Sequence, residues 1–317
     1  MRRILVLGAR GYLGAPVAAR LAAEPDVTVL YGGRGGPREG ARGAQGARGG
    51  RRMPDLGVDI GSVPVDVLAA ALAGLRPDAV VNCAGLASGP ASALAAVNAR
   101  GAAALCEAVA AGVPAARLVQ LGSAGEYGPG VPGTPLRESA PARPAGVYGA
   151  TKLAGTLAVA GSGLDAVVLR VFNPVGAGAP LSGLPGRLAA AFRAAPPGAP
   201  VRTGDLGAYR DFVDVADVAD AVALAVAAPG PLPPVLNIGS GEPTLVRDLA
   251  GRLAGIAGFT GRIEESGTGS ERSAAVSWTA ADISLAASAL GWRPTRTLDD
   301  ALRSLYEATA PTAGARV

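Results

Sequence analysis

"ILVLGARGYLG" (residues 4–14) is the stretch on which the fold turns. Four branched apolar residues run into Gly8, and Gly11 and Gly14 follow at three-residue spacing before an Ala/Leu-rich segment. A short apolar run closed by glycine has the pattern of a buried strand, and the segment after it has helical composition. Glycines at such a strand-to-helix turn let the backbone approach a bound group, and the N–H groups of a helix start attract an anion. The turn therefore predicts a dinucleotide site, with Gly8, Arg10, Gly11, Tyr12, Leu13 and Gly14 around the cofactor.

The same alternation continues outward. Residues 4–8, 27–31, 79–83, 117–122 and 166–172 predict buried strands, with helices near 13–23, 65–74, 91–112 and 148–160. Strand and helix in alternation predict a Rossmann-type α/β fold, a doubly wound parallel sheet with helices on both faces. After Phe172 the pattern changes: Gly and Pro crowd 173–186 and 196–208. We expect a dinucleotide-binding domain over 1–172, to which about 211–238 returns, and a smaller C-terminal α/β lobe over 173–317. That lobe is expected over the carboxyl ends of the strands, where open α/β sheets bind ligands.

Composition removes several function classes. Histidine is absent, which excludes Ser-His-Asp and Cys-His catalysis and every histidine-ligated metal site. The two cysteines, Cys83 and Cys106, form no metal-binding spacing, so no metal is expected. The net charge of +4 has a local origin: Arg34, Arg38, Arg42, Arg48, Arg51 and Arg52 against Glu39 give +5, leaving −1 elsewhere. A basic Gly/Arg-rich segment (32–52) is not a basic face, and nucleic-acid binding is not expected. No uninterrupted apolar run reaches the roughly 20 residues of a membrane span, and the N-terminus lacks a signal-peptide pattern, so the expectation is a cytoplasmic protein without membrane contact.

Two further features bear on chemistry. Strands of this kind that bind NAD end in an acid that holds the adenosine ribose. Here the second strand ends "VLYGGR", with Arg34 following and Arg10 in the glycine turn. Guanidinium groups suit a ribose 2′-phosphate, so NADP(H) is preferred and NAD(H) remains open. The second feature is "VYGATK" (147–152), whose Lys152 is the only lysine among 29 basic residues. Tyr148 and Lys152 are four apart, hence on one face of a helix. An ammonium near a phenol favours the phenolate, which makes tyrosine a usable proton donor and acceptor.

These segments, with "NCAGL" (82–86), "LGSAGEYG" (121–128), "RVFNPVG" (170–176), "RDFVDVADVA" (210–219), "NIGSGEPTLVRDLA" (237–250) and "ADISLAASALGWRP" (281–294), resemble the extended short-chain dehydrogenase/reductases that act on nucleotide sugars. The resemblance implies Ser123, Tyr148 and Lys152 as a catalytic triad. It implies Asp59 and Ile60 beside the adenine, with Ala84, Gly85, Leu86, Asn98 and Phe172 along the cofactor. Asn173, Arg210 and Arg272 would grip the diphosphate of a nucleotide-sugar substrate. The 91–112 and Tyr148 helices would form a homodimer seam, as they do in that family. The acid pair of sugar 4,6-dehydratases is missing, since Ala124 and Gly125 follow Ser123. The expected reaction is NAD(P)H-dependent reduction of a C4 keto group on a nucleotide-linked 4-keto-6-deoxysugar. The alternatives are an NAD-dependent 4-epimerase and a non-catalytic cofactor-binding sensor.

Overall fold

In the computed structural model, residues 1–35, 54–266 and 276–310 are described. Its seven-stranded sheet contains β1 (Arg2–Leu7), β2 (Val27–Gly33), β3 (Leu56–Gly57), β4 (Ala79–Asn82), β5 (Arg117–Ser123), β6 (Ala166–Val171) and the strand Val235–Ile238. The spatial order is β3-β2-β1-β4-β5-β6-Val235–Ile238. The pairs β1–β2, β1–β4, β2–β3 and β4–β5 are parallel. Strand order therefore reverses between β1 and β4, the switch point at which such sheets open a ligand crevice. Ile4 to Leu7 are buried without alternation, as a strand covered on both faces must be.

The expected doubly wound sheet is present, with two additions. β3 is only two residues long, too short for any periodicity to register. Val235–Ile238 is not among the strands read from sequence, although it lies in the stretch near 211–238 expected to return to this domain, and it forms the far edge of the sheet.

Contact within the chain is densest in two units. The first comprises Met1–Gly122, Ala150–Leu169 and Val222–Val235. Here helix Val65–Leu75 packs on helix Gly101–Gly112, burying Leu68 and Leu72 with Leu105, Ala108 and Val109. Their backbones approach so closely that a Cβ on Gly112 would lie 2.4 Å from the Ala69 carbonyl oxygen. By length and composition the 22-residue helix Ala91–Gly112 is apolar enough to span a membrane, but half of it is buried inside the protein, as in a core helix.

The second unit comprises Ser123–Gly149, Arg170–Ala221 and Leu236–Val317. Residues 123–149 and 170–172 thus belong to the second unit and not to the first, and of the stretch near 211–238 only Val222–Val235 belongs to the first unit. Its core is built by helices Leu184–Ala194, Val246–Ile256 and Leu298–Ala308 through Leu188, Phe192, Leu249, Leu253, Leu302 and Leu305. The last helix starts on a reciprocal cap, in which the Thr297 hydroxyl accepts from the Asp300 N–H and the Asp300 carboxylate accepts from the Thr297 N–H. Asp217, almost wholly buried, accepts from Thr295 and Arg296, and its carbonyl accepts from the Trp292 indole. Trp292 and Trp278 are buried packing residues.

Candidate active site

The glycine turn has the shape its sequence demanded. Gly8 has φ +76°, and a Cβ there would lie 2.8 Å from the Ala84 nitrogen. At Gly14 a Cβ would lie 2.0 Å from the Gly8 oxygen, so neither position accepts a side chain. The Gly11 N–H donates to the Gly8 carbonyl at 2.8 Å and closes the turn. A cavity of about 570 Å³ opens beside it, walled by Gly8, Arg10, Gly11, Arg34, Asp59, Ile60, Ala84, Gly85 and Leu86 among others. That volume lies within the range of pockets that enclose small ligands and cofactors.

Tyr12, Leu13, Gly14 and Asn98 are not part of the described cavity wall. Asn98 acts one step back. It lies in a π-helical turn, Ala95–Arg100, and its side chain exchanges two 2.9 Å hydrogen bonds with the Leu86 backbone. Its Nδ2 also donates to the Thr151 hydroxyl at 3.2 Å. Asn98 thus fixes the loop that carries Ala84, Gly85 and Leu86, a use of a π turn that a 3.6-residue period cannot reveal.

Lys152 is 9 % exposed. Its Nζ donates to the Leu121 carbonyl at 2.6 Å, and a Cβ on Gly85 would lie 3.6 Å from it. The chain's one lysine ammonium is therefore beside the cavity wall. Cys83 belongs to that wall as well. Burial pushes its thiol up to about 12, although the Lys152 ammonium pulls the other way. Burial likewise pushes Cys106 up to about 11, with the Ser162 hydroxyl opposing. Both thiols stay protonated at neutral pH, and the thiol form is the unreactive one. We expect no release from Ellman's reagent by the native protein at pH 8, and two equivalents after denaturation. Because both folded values lie above the ordinary 9.0, stability from these protons is complete below pH 9 and falls as pH rises toward 11 and 12. Urea midpoints measured from pH 8 to 11 should show that decline.

Ser123 ends β5 in extended conformation and caps a short 3-10 turn, Ala124–Glu126. Its Oγ accepts from the Gly125 N–H at 3.1 Å. A Cβ built on Gly125 would lie 3.4 Å from both the Ser123 Oγ and the Tyr148 ring, so the two side chains flank one point. Gly149 makes that approach possible, since a Cβ there would lie 2.2 Å from the Gly125 oxygen. Lys152 follows Tyr148 by one turn of the helix Val147–Ala160.

The other expected residues have different positions. Phe172 is wholly buried in a cluster with Ala124, Tyr127 and Ala281. Asn173 Nδ2 donates to the Asp211 carbonyl at 2.7 Å. Arg210 donates to the carbonyls of Tyr209 and Val276, and burial lowers its pKa. Arg272 and residues 36–53 lie outside the described residues.

Two residues had no role assigned from sequence. Asp211, fully enclosed, accepts from the Ser240 N–H and hydroxyl, the Gly241 N–H and the Ala281 N–H. It ties together three segments that are far apart in the chain. Burial raises its pKa and those bonds oppose the rise. Glu126 is buried against Arg170 at 2.7 Å. Its spacing from Ser123, S-x-x-E, is the capping-box signature and was the available signal.

Residues 4–239 match the family described as NAD dependent epimerase/dehydratase. The chain belongs to this family. Among its curated relatives, the dTDP-6-deoxy-L-talose 4-dehydrogenase (NAD(P)(+)) of Kitasatospora kifunensis is 40% identical over 325 residues, covering 98% of this chain and 97% of that protein. Among solved structures, MoeE5 in complex with UDP-glucuronic acid and NAD matches with a TM-score of 0.77 at 26% identity, covering 97% of this chain and 98% of its own. A UDP-glucose-4-epimerase from Stenotrophomonas maltophila, with bound NAD and formylated UDP-arabinopyranose, matches with a TM-score of 0.79 at 25% identity and the same coverage. In the epimerase/dehydratase family, then, this chain has a full-length relative that acts as a dehydrogenase at C4 and a structural neighbour that is a 4-epimerase.

Proposed function

We propose that this chain is an NAD(P)-dependent enzyme acting at C4 of a nucleotide-diphosphate 6-deoxysugar, and that it runs as a 4-ketoreductase. The observation that carries the reading is the convergence of Ser123 and Tyr148 on Gly125, with Lys152 one turn further along the Tyr148 helix. The name of the 40% identical relative supports C4 and a nicotinamide cofactor.

The residues present suit a dinucleotide. The Gly8–Gly14 turn excludes side chains where a pyrophosphate needs backbone, and the adjoining cavity is large enough for an adenosine. Gly8 and Gly11 would hold the pyrophosphate, Asp59 and Ile60 the adenine, and Lys152 the nicotinamide ribose. When bound, the dinucleotide supplies or accepts the hydride. Ser123 donates a hydrogen bond to the sugar oxygen, and Tyr148 delivers the proton that this oxygen gains on reduction. Asn173, Arg210 and Arg272 bind the diphosphate.

NADPH is the preferred donor in this reading. β2 ends in Gly32 and Gly33 without an acid, and a Cβ on Gly33 would meet nothing within 4 Å. Space for an acid exists, and arginines occupy the region instead: Arg10 and Arg34 both line the cavity. Loss of a charge-assisted hydrogen bond costs about 1.5–3 kcal/mol. Arg34→Ala is therefore expected to lower kcat/KM for NADPH by about 10- to 100-fold while changing that for NADH by less than about threefold.

The second reading is a 4-epimerase, favoured by the structural likeness to one. A panel of nucleotide-linked 4-keto-6-deoxysugars with NADPH or NADH separates the two. Cofactor oxidation in step with substrate supports the reductase, whereas interconversion of C4 epimers without net cofactor change supports the epimerase. The reading extends to a cytoplasmic homodimer. Val147 and Leu157 (63 % exposed) leave an apolar stripe on the Tyr148 helix that a second copy would cover, and light scattering should give twice the 31.0 kDa chain mass.

A further inference from the structure

Behind Ser123 lies an ion pair shut off from water. Glu126 has no exposed surface, and Arg170 is buried with it. Glu126 Oε2 accepts from Arg170 Nε at 2.7 Å, and Oε1 accepts from the Ser123 N–H at 2.8 Å. The Arg170 guanidinium lies 4.6 Å from the Tyr127 ring centroid, and the Tyr127 hydroxyl donates to Asn237 Oδ1 at 2.7 Å. Asn237 in turn donates to the Leu136 carbonyl at 2.8 Å. Every member of the chain from Ser123 to Leu136 is thus tied to the next.

Stability alone does not account for such a pair. Removing two charges from water offsets much of their attraction, and apolar residues of equal volume often serve a fold as well or better. What the pair supplies is direction. With one carboxylate oxygen held by Arg170, the other is fixed toward the Ser123 amide, in a bond strengthened by charge. On the other side of the same turn, Ser123 Oγ accepts from Gly125, which confines the single hydroxyl proton to directions away from that N–H. Backbone and side chain of Ser123 are therefore both set, and the Tyr148 ring flanks the same glycine.

We propose that Glu126, held by Arg170, is a positioning residue for the reaction: it acts through the Ser123 amide to aim the Ser123 hydroxyl beside Tyr148, and it does not touch substrate. This rests on the reading of Ser123 and Tyr148 as the reacting pair.

A double-mutant cycle tests it, using Glu126→Gln, Ser123→Ala and the two together. Glu126→Gln keeps the volume and one acceptor but removes the charge that Arg170 orients. It should lower kcat about 30-fold, with KM for the nucleotide sugar and Kd for NADPH within about threefold of wild type. Deuterium uptake by backbone amides of 121–127 should rise, a readout that needs no turnover. In the Ser123→Ala background the same change should lower kcat by no more than about threefold, because the hydroxyl it aims is gone. Arg170→Lys keeps the charge but replaces the guanidinium, with the Nε that holds Glu126, by a single ammonium; it should give a smaller loss that also vanishes in that background, and it serves if Glu126→Gln does not fold. Equal losses in both backgrounds would overturn the positioning role, as would a faster exchange of 121–127 with unchanged kcat. A wild type inert toward the whole sugar panel would overturn the functional reading and this inference with it. An active wild type with additive losses would overturn the positioning role alone.

Discussion

Tyr148→Phe is expected to lower kcat by about 10³-fold while leaving NADPH affinity and thermal stability nearly unchanged. The ring is what packs beside Gly125, and phenylalanine keeps the ring. Only the hydroxyl is lost, and with it the group proposed to exchange a proton with the sugar oxygen. Positioned general acids contribute about 10²–10⁴-fold, and no histidine is available to substitute for this one. Cofactor affinity measured by fluorescence titration, alongside kcat, separates this outcome from general damage. A sensor without turnover would show no change in its cofactor response. A kcat within about threefold of wild type would remove Tyr148 from the chemistry.

Lys152→Arg should be nearly as damaging, for a different reason. The chain uses arginine for every other basic side chain, so charge alone does not explain the exception. The ammonium sits in a 9 % exposed position, 2.6 Å from the Leu121 carbonyl and close to Gly85. A planar guanidinium is larger and cannot point three donors around one atom. Forcing it into that space costs about 1–3 kcal/mol of stability. In the proposed reading it also displaces the charge from the nicotinamide ribose, and kcat should fall by about 10²–10³-fold. Lys152→Met separates the two effects: it should recover much of the stability and none of the activity. Thermal melts and kcat on the two variants check this, and an active Lys152→Arg would show that any cation suffices.

How much of this was visible in the sequence depended on the distance over which each interaction acts. The Gly8–Gly14 turn was legible because a strand, a turn and a helix start within eleven residues leave a local pattern. Tyr148 and Lys152 were legible for the same reason, since one helical turn fixes their relation. Asp211 was not, because its partners lie about 30 and 70 residues away and nothing local marks a carboxylate that binds remote N–H groups. Arg170, 44 residues from Glu126, was hidden in the same way. Asn98 was singled out, but a π turn shifts the helical register, and the structure assigns it to the Leu86 backbone outside the described cavity wall. Phe172 shows the converse. It ends the run of a buried strand, and burial in the cluster beneath the Ser123 turn was its physical destination.

In the proposed reaction, hydride crosses between a nicotinamide and C4 of the sugar while Tyr148 handles the proton. Its most direct test is a single turnover with NADPH deuterated at the transferring C4 position and a nucleotide-linked 4-keto-6-deoxysugar, with the product read by NMR. One deuterium at sugar C4 is expected for each NADPH oxidised. Product that carries protium at C4, or deuterium only when the solvent is D₂O, would contradict it.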